Sequence, residues 1–509
     1  MSGDLYFSGE RAPRDQFQKT ARRLASHMHS EGVGPDDVIA ILMRNDLVYL
    51  ETVEAARLIG ARYASINWHA AGREILHILS DSGARILYAH ADLLQPVMAD
   101  LPNDLCVVSV PVPDSIATAY NVADQAVPGA LDMATLWDTS PEYSGDAQKL
   151  RGMFAYTSGS TGLPKGIRRA FNPEAPDTWQ TYAGLARTLM DARPGDRMYV
   201  SAPLYHSAPN ALSGFVLAAG DVDLFIDPKF EPEGFLATID RHKITHAYIV
   251  PTMMVRLLKL PEEVRQRYDV SSLRFTISTG SPCPVDIKAA MIDWFGPVLN
   301  ESYGASEIGF MTLISSDEAR AKPGSVGKIL PGGAVRVLDD RFEEVPTGEV
   351  GTLYIHLPMF GDYEYSNTHG AMDGQRQGHF STVGDVGYVD EDGYIFISDR
   401  KKDMIISGGA NIFPAEIEAQ LILMPEIADC AVFGAPHPEF GETIVAAVTC
   451  QPGHQVSLEA VEAFLAPRLA RFKIPRKVDI HETLPRQESG KIYKARLRAP
   501  YWEGHDRKV

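Results

Sequence analysis

The sequence predicts an α/β chain built as successive strand–helix layers, followed by a β-rich module and a small α+β unit. Three observations predict it. From residue 14 to residue 300, strand-like and helix-like runs alternate, the pattern of mostly parallel sheets covered by helices. After about residue 320, Gly324, Gly327, Pro331, Gly332, Gly333, Pro346, Gly348 and Gly351 punctuate short apolar runs, which is turn-rich β chemistry. A charge cluster, Asp399-Arg400-Lys401-Lys402-Asp403, then separates these runs from a last alternation of helix and strand.

Taken in order, residues 14–32 read as an amphipathic helix, with Phe17, Ala21, Leu24 and Met28 on one face. Gly32-Val33-Gly34-Pro35 ends it. A strand at 38–43, a helix at 47–59 closed by Gly60, a strand at 63–67, a helix over 74–79 and a strand at 86–89 follow. Residues 111–150, rich in Pro, Asp, Ser and Ala, read as a connecting region. A second alternation places strands near 197–202, 222–226, 246–250, 273–278 and 297–300. Its helices fall near 177–191, 231–241, 252–260 and 284–295. Strands such as 334–338 and 352–355 make up the β-rich module. Beyond the charge cluster, helices at 414–423 and 458–469 flank strands at 428–433 and 443–450. A basic tail with a turn at Ser489-Gly490 ends the chain, and no internal repeat is visible.

Composition narrows the function. The 509 residues exceed one ordinary core, and 45% hydrophobic with 22% charged content is that of a globular protein. Net charge is −18, which argues against nucleic acid or an anionic membrane as partner. Cys106, Cys283, Cys430 and Cys450 form no Cys-x-x-Cys pair, so reduced thiols in a cytoplasmic protein are expected. No secretory signal and no apolar run of ~20 residues is visible. The histidines give no metal motif.

One loop concentrates chemistry. An apolar run, Gly152-Met153-Phe154-Ala155-Tyr156, leads into Thr157-Ser158-Gly159-Ser160-Thr161-Gly162-Leu163-Pro164-Lys165-Gly166. Glycines let backbone N–H groups approach a ligand, and hydroxyls with an ammonium supply further donors, so the composition asks for phosphate. It is not a Walker loop, whose Gly-x4-Gly-Lys-Ser/Thr spacing is not met. By itself it could equally be a Gly/Ser linker. Further stretches stand at predicted strand ends, where α/β proteins place their sites. They are Pro203-Leu204-Tyr205-His206-Ser207-Ala208, Ser278-Thr279-Gly280-Ser281-Pro282 and Asn300-Glu301-Ser302-Tyr303-Gly304-Ala305-Ser306-Glu307. Thr382-Val383-Gly384-Asp385 and Pro485-Arg486-Gln487-Glu488-Ser489-Gly490-Lys491 follow.

In this order, over roughly residues 14–498, these stretches resemble the adenylate-forming superfamily, in its acyl-CoA synthetase (AMP-dependent ligase) branch. The resemblance implies a large N-terminal domain, residues 1–401, of two α/β layered subdomains plus a distorted β-barrel. It implies a small mobile α+β C-terminal domain, residues 402–509. It implies an enzyme that joins a carboxylic acid to ATP, releases pyrophosphate and passes the acyl group from the adenylate to coenzyme A. ATP and Mg²⁺ are then required, and the partners are small molecules around a monomer or homodimer. Two anions must meet in such a reaction, so fixed donors and cations carry it.

The residue roles are likewise implied by the resemblance. Thr157, Ser158, Ser160, Thr161 and Lys165 would hold phosphates. Glu307 would hold Mg²⁺ through a hard oxygen ligand. Gly280, Ser281, Pro282, Glu301, Ser302, Tyr303, Gly304 and Ser306 would line the nucleotide, with Tyr303 on adenine. Asp385 would accept the ribose hydroxyls and Arg400 would assist. Lys491 would bridge carboxylate and α-phosphate, His206 would stand at the acyl site, and Lys402 would be the hinge. Ser407, Gly408 and Gly409 would pass the coenzyme A arm. Each also has a plainer reading: a helix-start carboxylate for Glu307, a core tyrosine for Tyr303, turn residues for Asp385 and Lys491, a structural histidine for His206.

Two positions depart from the family, which has threonine where Ser306 and Val383 stand; Thr382 could stand in for the second. Arg168-Arg169 reads as a solvated pair. No acid occurs in residues 205–215, where peptide-synthetase domains pair an amine, so an apolar acid without an α-amine is expected. Transfer to a carrier protein, a luciferase-like oxygenation and a non-catalytic nucleotide-binding regulator remain as alternatives.

Overall fold

In the computed structural model, residues 2–157, 164–171, 173–174, 177–366, 375–486 and 492–503 are described. The first layer system is an eight-stranded sheet. Its strands run Tyr363–Tyr365, Lys165–Arg169, Met153–Thr157, Arg62–Ser65, Val38–Leu42, Ala84–His90, Cys106–Val110 and Leu131–Asp132 across the sheet. The strands from Met153–Thr157 to Leu131–Asp132 pair in parallel. Val38–Leu42 is buried along its whole length, as a strand covered on both faces must be. The helix Leu47–Ile59 stops where predicted, at Gly60 with φ 76°, a left-handed cap that glycine adopts without strain.

The glycine-rich loop is not a strand-to-helix connection. Met153–Thr157 and Lys165–Arg169 are antiparallel, with Thr157 opposite Lys165, so the loop joins the arms of a hairpin near the sheet edge. Residues 111–150 are also more than a connector. They hold the helices Asp114–Tyr120 and Met133–Thr139, and Leu131–Asp132 completes the sheet. These elements are short, so they carry little periodicity to read.

The second layer system is a seven-stranded sheet, ordered Leu299–Glu301, Phe275–Ser278, His246–Ile249, Arg197–Val200, Asp223–Ile226, Leu5–Phe7 and Glu10–Ala12. Five of these lie where the alternation put them. Leu5–Phe7 was not legible: three residues at the N-terminus pair in parallel with Asp223–Ile226, more than 200 positions away. The helix Ser207–Ala219 also escaped, since its small, apolar sequence has no polar stripe to set a period. A third, antiparallel sheet runs from Thr312–Leu313 through Ser325–Ile329, Ile395–Arg400, Asp385–Val389 and Gly351–His356 to Arg376–Gln377. It occupies the place expected for the barrel.

A separate core begins at Ile405. The sheet there comprises Ile405–Ser407, Ala410–Ile412, Ile427–His437, Gly441–Cys450 and Lys477–Ile480. Strand alternation divides its side chains. Val432, Ile444, Ala446 and Val448 pack beneath Ile417, Leu421 and Leu465. Ala431, Phe433, Val445 and Ala447 pack on the other face against Leu484 and Leu497. The expected tail is a helix, Lys494–Trp502, and Leu497 is its anchor. Among the described residues no helix is long and apolar enough to cross a membrane. All four cysteines are free thiols.

Candidate active site

The site lies where the ends of the three large-domain sheets meet. Asp385 and Arg400 are fifteen positions apart in sequence, yet they are direct cross-strand partners of the antiparallel pair Asp385–Val389 and Ile395–Arg400. Gly384 makes the approach, with φ 81°, its carbonyl accepting from Lys401 N–H at 2.9 Å. Arg400 Nε stands 3.2 Å from Asp385 Oδ1. The Tyr303 hydroxyl donates to Asp385 Oδ2 at 2.5 Å. The buried carboxylate therefore has a hydrogen-bond donor on one oxygen, a guanidinium paired with the other, and further lone pairs for a ligand's hydroxyls. Burial, then Asp385, push the Tyr303 phenol well above its usual range, so it stays a donor.

Tyr303 follows the strand Leu299–Glu301, and its N–H donates to Thr312 Oγ1 at 3.0 Å. Four residues on, Glu307 Oε1 accepts from the Tyr365 hydroxyl at 3.2 Å. Burial and Glu307 raise the Tyr365 phenol strongly. Ser306 Oγ pairs with Ser207 Oγ at 2.9 Å, which joins the Glu307 stretch to the first turn after His206. His206 precedes the helix Ser207–Ala219 at the end of Arg197–Val200, half-buried with its ring on Tyr205, centroids 4.3 Å apart.

Arg169 corrects the expectation of a solvated pair. Arg168 is exposed beside Glu364, but Arg169 turns inward. Its Nη1 donates to Phe360 O at 3.0 Å and its Nη2 to Ser306 O at 3.4 Å. Strand alternation puts the two arginines on opposite faces, so adjacency in sequence says nothing of shared environment. Tyr365 was missed too. It comes alongside because Tyr363–Tyr365 adds to Lys165–Arg169, a pairing of segments nearly 200 residues apart.

Other expected residues stand as follows. Ser158, Ser160, Thr161 and Lys491 lie outside the described residues. Thr157 and Lys165 face each other at the loop's base. Gly280, Ser281 and Pro282 are exposed just past Phe275–Ser278, with Gly280 at φ 99°. Ser302 is buried, its N–H donating to Ser278 O at 2.8 Å, and Gly304 pairs with Phe310. Glu301 is corrected: its carboxylate points into the protein and forms a buried ion pair with Lys288. That contact serves folding, because a buried charge needs a partner. Thr382 Oγ1 accepts from Gly384 N–H at 3.0 Å, so the hydroxyl beside Val383 holds the turn. Lys402 sits in the short turn Lys401–Asp403 between the third sheet and the small domain. Ser407, Gly408 and Gly409 form a tight hairpin, the glycines at φ 58° and 82°, with Gly408 N–H donating to Phe440 O at 2.8 Å.

Among the described residues no group of three or more His, Cys, Asp or Glu side chains is placed to hold a metal ion. A Mg²⁺ ion held by one carboxylate plus substrate phosphates does not need one. Glu307 fits that requirement: half-buried, held by Tyr365, and adjoining the phosphate-loop strand through Arg169 and Ser306.

A nucleotide-binding α/β enzyme is the class that this fold and site define. Residues 5–361 match the model of the AMP-binding enzyme family, and residues 416–491 match that of the AMP-binding enzyme C-terminal domain. A feruloyl-CoA synthase of an Amycolatopsis species is 32% identical over 95% of this chain and 92% of its own. A long-chain-fatty-acid–CoA ligase of Mycobacterium tuberculosis is 31% identical over 96% and 92%. Among solved structures, ATP-bound MatB from Rhodopseudomonas palustris superposes with a TM-score of 0.82 at 25% identity, covering 99% of this chain and 97% of that one. The Bacillus subtilis o-succinylbenzoate–CoA synthetase with ATP and magnesium gives 0.79 at 25%, covering 97% and 96%. The chain belongs to the AMP-binding enzyme family, the adenylate-forming superfamily. It is an AMP-forming acid–CoA ligase, with ATP, Mg²⁺ and coenzyme A as its co-reactants.

Proposed function

We propose that this ligase activates a hydrophobic carboxylic acid, aromatic or fatty, and completes the thioester by rotating its small domain about Lys402. The carrying observation is the Tyr303–Asp385–Arg400 cluster set beside Glu307, a ribose-and-phosphate frame at the ends of the three large-domain sheets. In the first step a carboxylate oxygen attacks the α-phosphorus and pyrophosphate leaves. Asp385 accepts the ribose hydroxyls and fixes the nucleotide. Thr157, Lys165 and the loop between them hold the outer phosphates. Glu307 holds Mg²⁺, which offsets phosphate charge when bound. Lys491 supplies the cation between the two reacting anions. In the second step the coenzyme A thiolate attacks the acyl carbon and AMP leaves, with the hairpin at Ser407, Gly408 and Gly409 brought to the site.

Apolar acid is supported by the acid-free lining of residues 205–215 and by the two relatives, one named for an aryl acid and one for a fatty acid. The division at residues 401 and 402 is supported by the separate core that begins at Ile405. A cytoplasmic site is supported by the free thiols.

The test is a panel of aromatic and fatty acids in an AMP-release assay with and without coenzyme A. The expected result is acid-dependent AMP release with a stoichiometric acyl-CoA product. Adenylate formation without a thioester would replace this reading by carrier-protein transfer or oxygenation. A fatty acid–[acyl-carrier-protein] ligase of Streptomyces coeruleorubidus, 30% identical, gives that arm its substance. ATP binding without acid-dependent ATP–pyrophosphate exchange would leave a regulator.

A further inference from the structure

The loop that carries His206 is held by buried polar side chains, two of them from the first layer system. Leu204, two residues before His206, uses both its backbone groups in this contact. Its N–H donates to Asn45 Oδ1 at 2.8 Å. Its carbonyl accepts from the Tyr49 hydroxyl at 2.9 Å and from Asn210 Nδ2 at 3.1 Å. Asn45 Nδ2 donates its two protons to Ala202 O at 2.9 Å and Asp227 O at 3.0 Å. Asn210 Nδ2 also reaches the Tyr49 oxygen at 3.0 Å, and Asn210 Oδ1 accepts from the Tyr63 hydroxyl at 2.7 Å. Ser65 Oγ completes Tyr49 at 2.5 Å. Asn45, Tyr49, Tyr63 and Asn210 are all buried. Both carboxamides use both protons and the oxygen, and the Tyr49 hydroxyl donates once and accepts twice. A saturated buried network of this kind fixes geometry rather than merely filling space.

We propose that Asn45 is a positioning residue for the acid substrate: with Tyr49 and Asn210 it sets, from the first layer system, where the His206 loop stands. The inference rests on the ligase reading, in which His206 borders the acid. Asn45 reaches the loop because it follows the strand Val38–Leu42 and precedes the helix Leu47–Ile59, so it projects from a strand end into the second layer system. Only a carboxamide meets these three partners at once. Aspartate keeps the acceptor but turns it on two carbonyl oxygens; alanine takes their Asn45 partner from the buried Leu204 N–H and Ala202 O and from the half-buried Asp227 O. Displacement at Leu204 passes directly to His206 and the first turn of Ser207–Ala219. The Tyr303, Asp385 and Arg400 side chains share no hydrogen bond with this network, which approaches the nucleotide frame at one remove, through the Ser207–Ser306 hydroxyl pair, so the effect on the acid should exceed that on ATP.

The test is acid-dependent ATP–pyrophosphate exchange in Asn45→Ala, Asn45→Asp and Tyr49→Phe. In Asn45→Ala the KM for acid should rise about tenfold and the ranking of acids by width should change, with the KM for ATP within about twofold of wild type. Tyr49→Phe keeps the ring and leaves Leu204 O its bond from Asn210, so a rise of about threefold is expected there. If the asparagine variants do not fold, Tyr49→Phe decides alone. Equal rises for acid and ATP, or no rise for acid, would overturn the proposal. Hydrogen exchange at residues 204–206 separates this from the ligase reading. A wild type without acid-dependent exchange would refute the ligase; unchanged protection of the Leu204 amide in Asn45→Ala would refute the clamp.

Discussion

Single side chains in this protein divide by what their second contact is. Asp385 has the Tyr303 hydroxyl on one oxygen and Arg400 on the other, which orients it in advance for the ribose role proposed here. Tyr303→Phe keeps the ring and deletes that donor. The KM for ATP should rise about tenfold in pyrophosphate exchange at saturating acid, and Asp385→Asn should cost more. A parallel rise in the KM for acid would count against the ribose role. Lys491→Ala should reduce adenylation by about three orders of magnitude while thioester formation from supplied adenylate survives. Full adenylation in that variant would remove the lysine from the mechanism. Glu51 makes a different point. Burial, reinforced by Asp46, raises its carboxyl to about 8 against the pull of Thr20. Between its unfolded value near 4.5 and about 8 the unfolded chain releases a proton that the folded chain keeps, so stability falls as pH rises across that window. The slope should be about 1.4 kcal/mol per pH unit from this group. Glu51→Gln should flatten the decline of melting temperature between pH 5 and 8; an identical pH profile in the variant would show the carboxyl ionised in the fold.

At the scale of elements, the helix Ser207–Ala219 joins the proposed acid site to the core. Its first turn follows His206, and its body buries Leu212, Phe215 and Val216 completely. Phe215 meets Tyr182 edge-on at 4.8 Å and Phe310 at 5.9 Å, so it ties the second layer system to the strand after Glu307. Phe215→Ala should destabilise the large domain by about 3–5 kcal/mol, read in urea unfolding. A loss under about 1 kcal/mol would mean that the neighbours collapse into the space. The strand ends at 200, 278 and 301 were legible because each is a short apolar run closed by small or polar residues. This helix was not, because burial on nearly every side removes the contrast on which periodicity depends.

At the scale of the whole molecule, the proposed rotation about Lys402 bears on the contacts between the core that begins at Ile405 and the rest of the chain. Asp399 is the last residue but one of the strand Ile395–Arg400, yet its Oδ2 accepts from Ala415 N–H at 2.9 Å in the helix Pro414–Leu421. Lys494, three residues past Lys491, pairs with Glu418 at 2.7 Å on that same helix. Lys259 of the large domain donates to Ile427 O at 2.7 Å. On the proposed reading, a rotation at Lys401–Asp403 would release the contacts between the two cores and keep those within the smaller one. Lys402→Pro fixes φ at that position and restricts Lys401 as well. Adenylation should persist within about threefold while thioester formation falls at least tenfold. Equal loss of the two half-reactions would place the hinge elsewhere.

The sequence by itself determined the alternation of strands and helices, the strand ends that carry His206, Gly280 and Tyr303, the changes of character near residues 320 and 400, and, through its ordered motifs, the adenylate-forming family. Local composition encodes these, since period, turn residues and strand-end polar groups act over a few positions. Tertiary structure alone decided that Arg169 turns toward Ser306 while Glu301 turns inward to Lys288. It also decided that Leu5–Phe7 belongs to the second sheet, and that Asn45 grips the His206 loop. Each of these is a pairing of groups far apart along the chain, and which distant groups meet is set by how whole sheets pack.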